Sequence, residues 1–165
     1  MIPTASQTVG PFFNFGLTTN ADLGVIPLHG ERIRLEFLVL DGDGVPTPGD
    51  SLIELWQTDA AGRYDRGFGR LETDAKGVCV FETVKPGPIG GGHAPHICVT
   101  IFARGLLRHL STRVYFEGEA LNELDPVLAL VPEARRATLL AQRVEDTWRM
   151  VIRLQGDEET VFFDV

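Results

Sequence analysis

Cysteine and tyrosine are scarce in this chain, and each scarcity excludes something. Two cysteines in 165 residues, Cys79 and Cys98, are too few for a disulfide framework. In a reducing compartment both are expected to be small buried residues. Tyr64 and Tyr115 are the only two tyrosines, which leaves little choice for chemistry that needs phenolates. No apolar run approaches the roughly 20 residues of a membrane-spanning helix, so no membrane role is expected. The opening stretch, MIPTASQTVGPFFNFG, has neither a basic segment nor a long apolar core. It is not expected to be a signal peptide, and a cytoplasmic location is expected. Positive charge is in deficit: 15 Lys and Arg against 23 Asp and Glu give a net charge of −8. Such a surface repels phosphate backbones, which argues against a nucleic-acid partner. There is no repeat, no low-complexity tract and no clear linker.

What is present is the pattern of one soluble domain, 44% hydrophobic and 23% charged. The first 28 residues hold Pro3, Pro11, Phe12, Phe13, Phe15 and Gly16 with neither a strand nor a helix period. We read residues 1–28 as an arm that lies across its own domain or docks on a partner. Residues 29–165 then form a single domain. In ERIRLEFLVL, Ile33, Leu35, Phe37 and Val39 alternate with charged residues, the mark of a half-buried strand. Strands are also expected over 52–58, 78–84, 96–103 and 112–117, with turns at DGDG (41–44) and TDAKG (73–77). Asp125 and Pro126 are placed to open a helix, and Pro132 to restart a second one ending near Arg143. TWRMVIRLQG and ETVFFDV read as a closing hairpin around Gly156 and Asp157. About seven strands and one helical insertion predict an all-β protein, a β-sandwich.

The runs TASQTVGPFF, ELWQTDAAGRYD, TVKPGPI, APHICVTIFARG, RVYFEGEA and GDEETVFFDV follow one another from Thr4 to Val165. Together they resemble the intradiol ring-cleaving dioxygenases, and among these the alpha chains of the two-chain members. The resemblance implies the sandwich type of that family, with its extended N-terminal arm. Catalytic chains of the family hold a non-haem ferric ion with two tyrosines and two histidines, in Gly-Arg-Tyr, Pro-Gly-Pro-Tyr and His-x-His motifs. The choice suits the ion, because ferric iron is a hard cation that anionic phenolates stabilise. Here Tyr64 and His96 match one tyrosine and one histidine, but Ile89 and Cys98 stand where the other two ligands belong. His93 stands where catalytic chains carry an arginine. The resemblance therefore implies no catalytic residue and no metal in this chain. Tyr64, Ile89, His96 and Cys98 would mark a vestigial site, with Fe(III) bound by a partner beta subunit.

In the resembled enzymes the alpha chain lines part of the beta chain's active site. The matching positions here are Gly10 and Pro11 in TVGP, and Arg104 in FARG. Glycine lets backbone approach a flat ring and proline holds that backbone rigid. Arginine binds a carboxylate through two hydrogen bonds. Without the resemblance, Arg104 reads as the solvated end of a strand and Gly10-Pro11 as an ordinary turn. The implied reaction is cleavage of 3,4-dihydroxybenzoate by dioxygen to 3-carboxy-cis,cis-muconate in a complex of several alpha–beta units. Two other readings stand beside it. One is an iron-free sandwich that binds or assembles without an iron-bearing partner. The other is a homomeric protein with a metal site remodelled from Tyr64, His93, His96 and Cys98, although that spacing matches no familiar structural zinc pattern.

Overall fold

The computed structural model describes residues 5, 7–10, 12–18, 21–42, 44–47 and 51–165. Eight strands carry the fold: β1 (Arg32–Leu40), β2 (Ser51–Gln57), β3 (Phe68–Glu72), β4 (Val78–Val84), β5 (His96–Ala103), β6 (Leu110–Phe116), β7 (Leu140–Val144) and β8 (Thr147–Arg153). They run side by side in the order β3-β2-β5-β6-β7-β8-β1-β4. The β1–β8 and β6–β7 pairs are parallel and the others antiparallel. β6 meets β7 only through Tyr115–Leu140 and Phe116–Ala141, and there the sheet folds into two halves. One core joins them, with Leu35, Phe37 and Met150 from one half and Leu55, Val99 and Ile101 from the other. The expected β-sandwich is thus observed, with its edge strands β3 and β4 drawn together so that it nearly closes.

Alternation sets the faces. In β5 the side chains of Ile97, Val99, Ile101 and Ala103 are buried, while Cys98, Thr100 and Phe102 on the other face are only half-buried. A parallel β6–β7 pair needs a long crossover, and residues 117–139 supply it. They contain two 3-10 turns, the one-turn helix α2 (Glu133–Arg136) and a further 3-10 turn over Ala137–Leu139. A second apolar cluster, with Leu128, Val131 and Leu139 around Tyr115 and Ala94, fixes this insertion on the outside of β6.

Five elements differ from the sequence reading. The helix expected to open at Asp125 and Pro126 is only the 3-10 turn Leu128–Leu130, because Pro132 follows it at once. The one-turn helix α1 (Phe13–Leu17) lies within the arm. β3 escapes the pattern because Gly69 interrupts it; a Cβ there would press on Ile26 Cδ1 at 2.7 Å. The second helical stretch stops at Leu139 because residues 140–144 are taken up as β7, paired with both β6 and β8. The closing hairpin does not form. β8 pairs with β7 through a turn at Glu145 (φ 56°). Beyond Gly156 the only backbone ladder contact back to β8 is Thr160 with Arg153, beside an Arg153–Glu158 ion pair, and the chain then runs beside β6, where Phe163 N–H donates to Ser111 O at 2.8 Å. Ile26 and Leu28, at the end of the arm, are buried in the sandwich core.

Candidate functional site

The motif positions gather at one end of β5. The loop after β2 carries Tyr64, and Asp59 shapes it. Asp59 Oδ1 accepts the N–H groups of Ala61 and Arg63, both at 2.9 Å, and Oδ2 accepts the Arg63 guanidinium at 2.7 and 3.0 Å. The Arg63 N–H and guanidinium hold the Asp59 carboxyl below the usual carboxylate range. Gly62 takes φ +76°, and a Cβ there would collide with the carbonyl oxygen of Pro88. Gly87 likewise faces the carbonyl of Ala60 and donates its N–H to Asp59 O at 2.9 Å. The glycines of GRY and PGPI therefore lock two loops together backbone to backbone. The two motif-bearing loops are thus held in a fixed relation to one another.

The side chains at the four motif positions make contacts of their own. Tyr64 is half-exposed and stacks on Trp56, with ring centroids 6.1 Å apart and planes 9° from parallel. Partial burial, with Cys98 nearby, pushes its phenol up, so it is neutral. Trp56, Cys98 and Arg113 lie abreast across β2, β5 and β6. Burial raises the Cys98 thiol. Ile89 is half-buried and offers no donor. His96 is buried, and its Nδ1 donates to Ala94 O at 2.8 Å; burial lowers its pKa, which leaves the ring neutral. Beyond it sits the fully buried Asp125. Its carboxylate accepts the N–H groups of Val127, Leu128 and Ala94 at 2.8–2.9 Å and the Tyr115 hydroxyl at 3.1 Å. Burial acts to raise the Asp125 carboxyl, but these hydrogen bonds outweigh it and hold the group low. His93 turns toward the same carboxylate, Nδ1 to Oδ2 3.4 Å.

A ferric ion does not fit this donor set. It needs anionic oxygen ligands, whereas Ile89 has no donor atom, Cys98 offers sulfur, the Tyr115 hydroxyl is taken up by Asp125 and Tyr64 is stacked on Trp56. Among the described residues no group of three or more His, Cys, Asp and Glu is placed to hold a metal. No step of chemistry is assigned to a metal here.

The other predicted positions lie at the far end of β5. Arg104 follows its last residue and is exposed. It occupies the corner of a turn closed by Leu106 N–H donating to Ala103 O at 3.1 Å, with Gly105 at φ +95°. A cavity of about 570 Å³ opens beside it, lined by Asp41, Val45, Thr47, Leu154 and Gln155 among others. Gly10 is exposed, with nothing within 4 Å of where a Cβ would stand, and its carbonyl accepts the Phe13 N–H at 3.1 Å. Pro11 lies outside the described residues. The arm and the Arg104 turn are joined through Thr8, whose Oγ1 accepts the Gly105 N–H at 2.8 Å. The structure thus brings the Gly10 segment to Arg104 and separates both from His96 by the length of β5, about 25 Å at roughly 3.3 Å per residue. Sequence reasoning missed Thr8, Trp56 and Arg113. All three lie inside motifs already quoted, and Arg113 also announced itself as a charge within an apolar strand.

Residues 13–152 match the family described as Dioxygenase. The chain belongs to the intradiol dioxygenases within it. It is 43% identical to the protocatechuate 3,4-dioxygenase alpha chain of Burkholderia cepacia over 98% of this chain and 97% of that one. It is 36% identical to the beta chain from the same organism, over 86% of this chain and 68% of that one. The fold also matches the solved structure of an intradiol ring-cleavage dioxygenase from Tetranychus urticae, with a TM-score of 0.65 at 18% identity, covering 82% of this chain and 86% of that one. Among the described residues no helix is long and apolar enough to cross a membrane.

Proposed function

We propose that this chain is the iron-free alpha subunit of a protocatechuate 3,4-dioxygenase. It assembles with an iron-bearing beta subunit in a complex of several alpha–beta units. The complex cleaves 3,4-dihydroxybenzoate with dioxygen to 3-carboxy-cis,cis-muconate, a step of aromatic breakdown by the beta-ketoadipate route in the cytoplasm. The observation that carries the reading is the separation along β5. Arg104 and the Gly10 segment stand at the end opposite this chain's own Tyr64, His96 and Cys98. A site that uses both a metal and Arg104 therefore has to be built from two chains. The retained loop scaffold with a misfit donor set supports placing Fe(III) on the partner alone.

Each part of this chain then has a task. Arg104 holds the carboxylate of the aromatic acid through two charge-assisted hydrogen bonds. Gly10 and Pro11 present backbone to the flat face of the ring. Of the arm, residues 1–28, the part before Ile26 packs on the partner, while Ile26 and Leu28 stay in this chain's own core; Phe12 and Phe15, stacked at 5.6 Å and more than 70% exposed, are its anchors. Residues 29–165 form the sandwich that buttresses the iron-bearing chain.

The test is oxygen uptake with 3,4-dihydroxybenzoate by this chain alone, by the iron-bearing chain alone and by the two co-expressed. Full turnover is expected only from the co-expressed pair. Turnover by this chain alone would overturn the reading, and so would a failure of the two chains to associate.

A further inference from the structure

We propose that Thr8 is a positioning residue for the substrate carboxylate, acting through Arg104; the inference rests on the shared-site reading above. Arg104 stands at the corner of a four-residue turn, Ala103 to Leu106. That turn uses only one N–H of its own, Leu106 donating to Ala103 O at 3.1 Å. The N–H of Gly105, directly after Arg104, is left over. Thr8 Oγ1 takes it at 2.8 Å, the shorter of these two bonds. As a donor, Thr8 Oγ1 has two long contacts, to the carbonyl oxygens of Ala103 at 3.4 Å and Val9 at 3.5 Å. One hydroxyl from the arm therefore touches the residues on both sides of Arg104, across 95 and 97 positions of sequence.

The consequence is mechanical. Gly105 at φ +95° gives the turn a freedom that an ordinary residue would not have. The Arg104 side chain is long, and its reach depends on where this corner points. The bond from Thr8 fixes that corner relative to the arm. Gly10 lies two residues further on, so the same bond sets the distance between the ring-lining backbone and the guanidinium. A single hydroxyl registers the two halves of this chain's contribution to the pocket. Threonine suits the task because its branched Cβ restricts the side chain to few rotamers.

The experiment uses the co-expressed alpha–beta complex, with Thr8→Val, Thr8→Ser, Arg104→Ala and the double variant Thr8→Val/Arg104→Ala. Thr8→Val keeps the shape and removes the acceptor. Steady-state constants are measured with 3,4-dihydroxybenzoate and with catechol, which lacks the carboxylate. Thr8→Val is expected to raise KM for 3,4-dihydroxybenzoate about five- to tenfold, the worth of one hydrogen bond, and to change kcat less than about twofold. KM for catechol is expected to stay put, and Thr8→Ser to restore the parent value. The double variant is expected to lose no more than Arg104→Ala alone, because Thr8 acts through that residue. If Arg104→Ala raises KM and Thr8→Val does not, the role of Thr8 is refuted and the shared site survives. Equal losses on both substrates, or additive losses in the double variant, also refute it. If Arg104→Ala changes nothing, the shared-site reading falls and the role of Thr8 falls with it.

Discussion

His93 and His96 lie three residues apart with ring centroids 5.9 Å from one another, yet they differ in burial and in hydrogen bonding. His96 is buried beside Tyr115, with ring centroids 5.6 Å apart, and is held neutral with Nδ1 on the Ala94 carbonyl. His93 is half-buried and leans on Asp125. Burial lowers the folded pKa of His96 below its ordinary 6.5. The unfolded chain therefore binds the proton more readily than the folded one. Stability from this group is complete above pH 6.5, falls as the pH drops below it, and is gone once the folded pKa is passed. The urea midpoint is accordingly expected to fall between pH 7.5 and pH 6.0. His96→Gln, uncharged at both values, should flatten that dependence. An unchanged slope in His96→Gln would show that another group governs it.

At the scale of elements, the motif glycines have a duty apart from the chemistry once attached to them. Gly62→Ala would force a side chain onto the Pro88 carbonyl from a backbone at φ +76°. Neither loop can yield without breaking the bond from Gly87 N–H to Asp59 O. A loss of about 2–4 kcal/mol in urea unfolding is expected, whereas Gly10→Ala, with open space around its Cβ position, should leave stability unchanged. This separation explains how a site can lose its ligands and keep its motifs. It also explains what the sequence could and could not disclose. Strands with clean alternation, such as β1, were legible because one face meets the core. β3 and β7 were not, because their strand character comes from partners far away in the chain rather than from a period of their own. That Ile89 and Cys98 depart from the resembled family's pattern was legible by motif. That His93 would turn to Asp125, or that Thr8 would reach Gly105, depends on a fold that places positions 8 and 105 side by side.

At the scale of the whole molecule, the chain is a sandwich with two different ends. One carries a scaffold without a metal's ligands; the other offers an arginine, a cavity and an aromatic arm. The exposed stack of Phe12 and Phe15 would be costly to leave in water, and burying it on a partner is worth about 1.5–3 kcal/mol per ring. The variant Phe12→Ala/Phe15→Ala is therefore expected to weaken assembly with the iron-bearing chain by at least tenfold, read by sedimentation or scattering over a dilution series. Unchanged assembly would place the interface elsewhere.

The central claim is that the motif scaffold of this chain holds no iron while its partner's does. Iron per alpha–beta pair in the purified, co-expressed complex, measured by elemental analysis against protein mass, tests it most directly. One ferric ion per pair is predicted, with none in this chain purified alone. Two per pair, or stoichiometric metal in the isolated chain, would contradict it and return Tyr64, His93, His96 and Cys98 to the status of ligands.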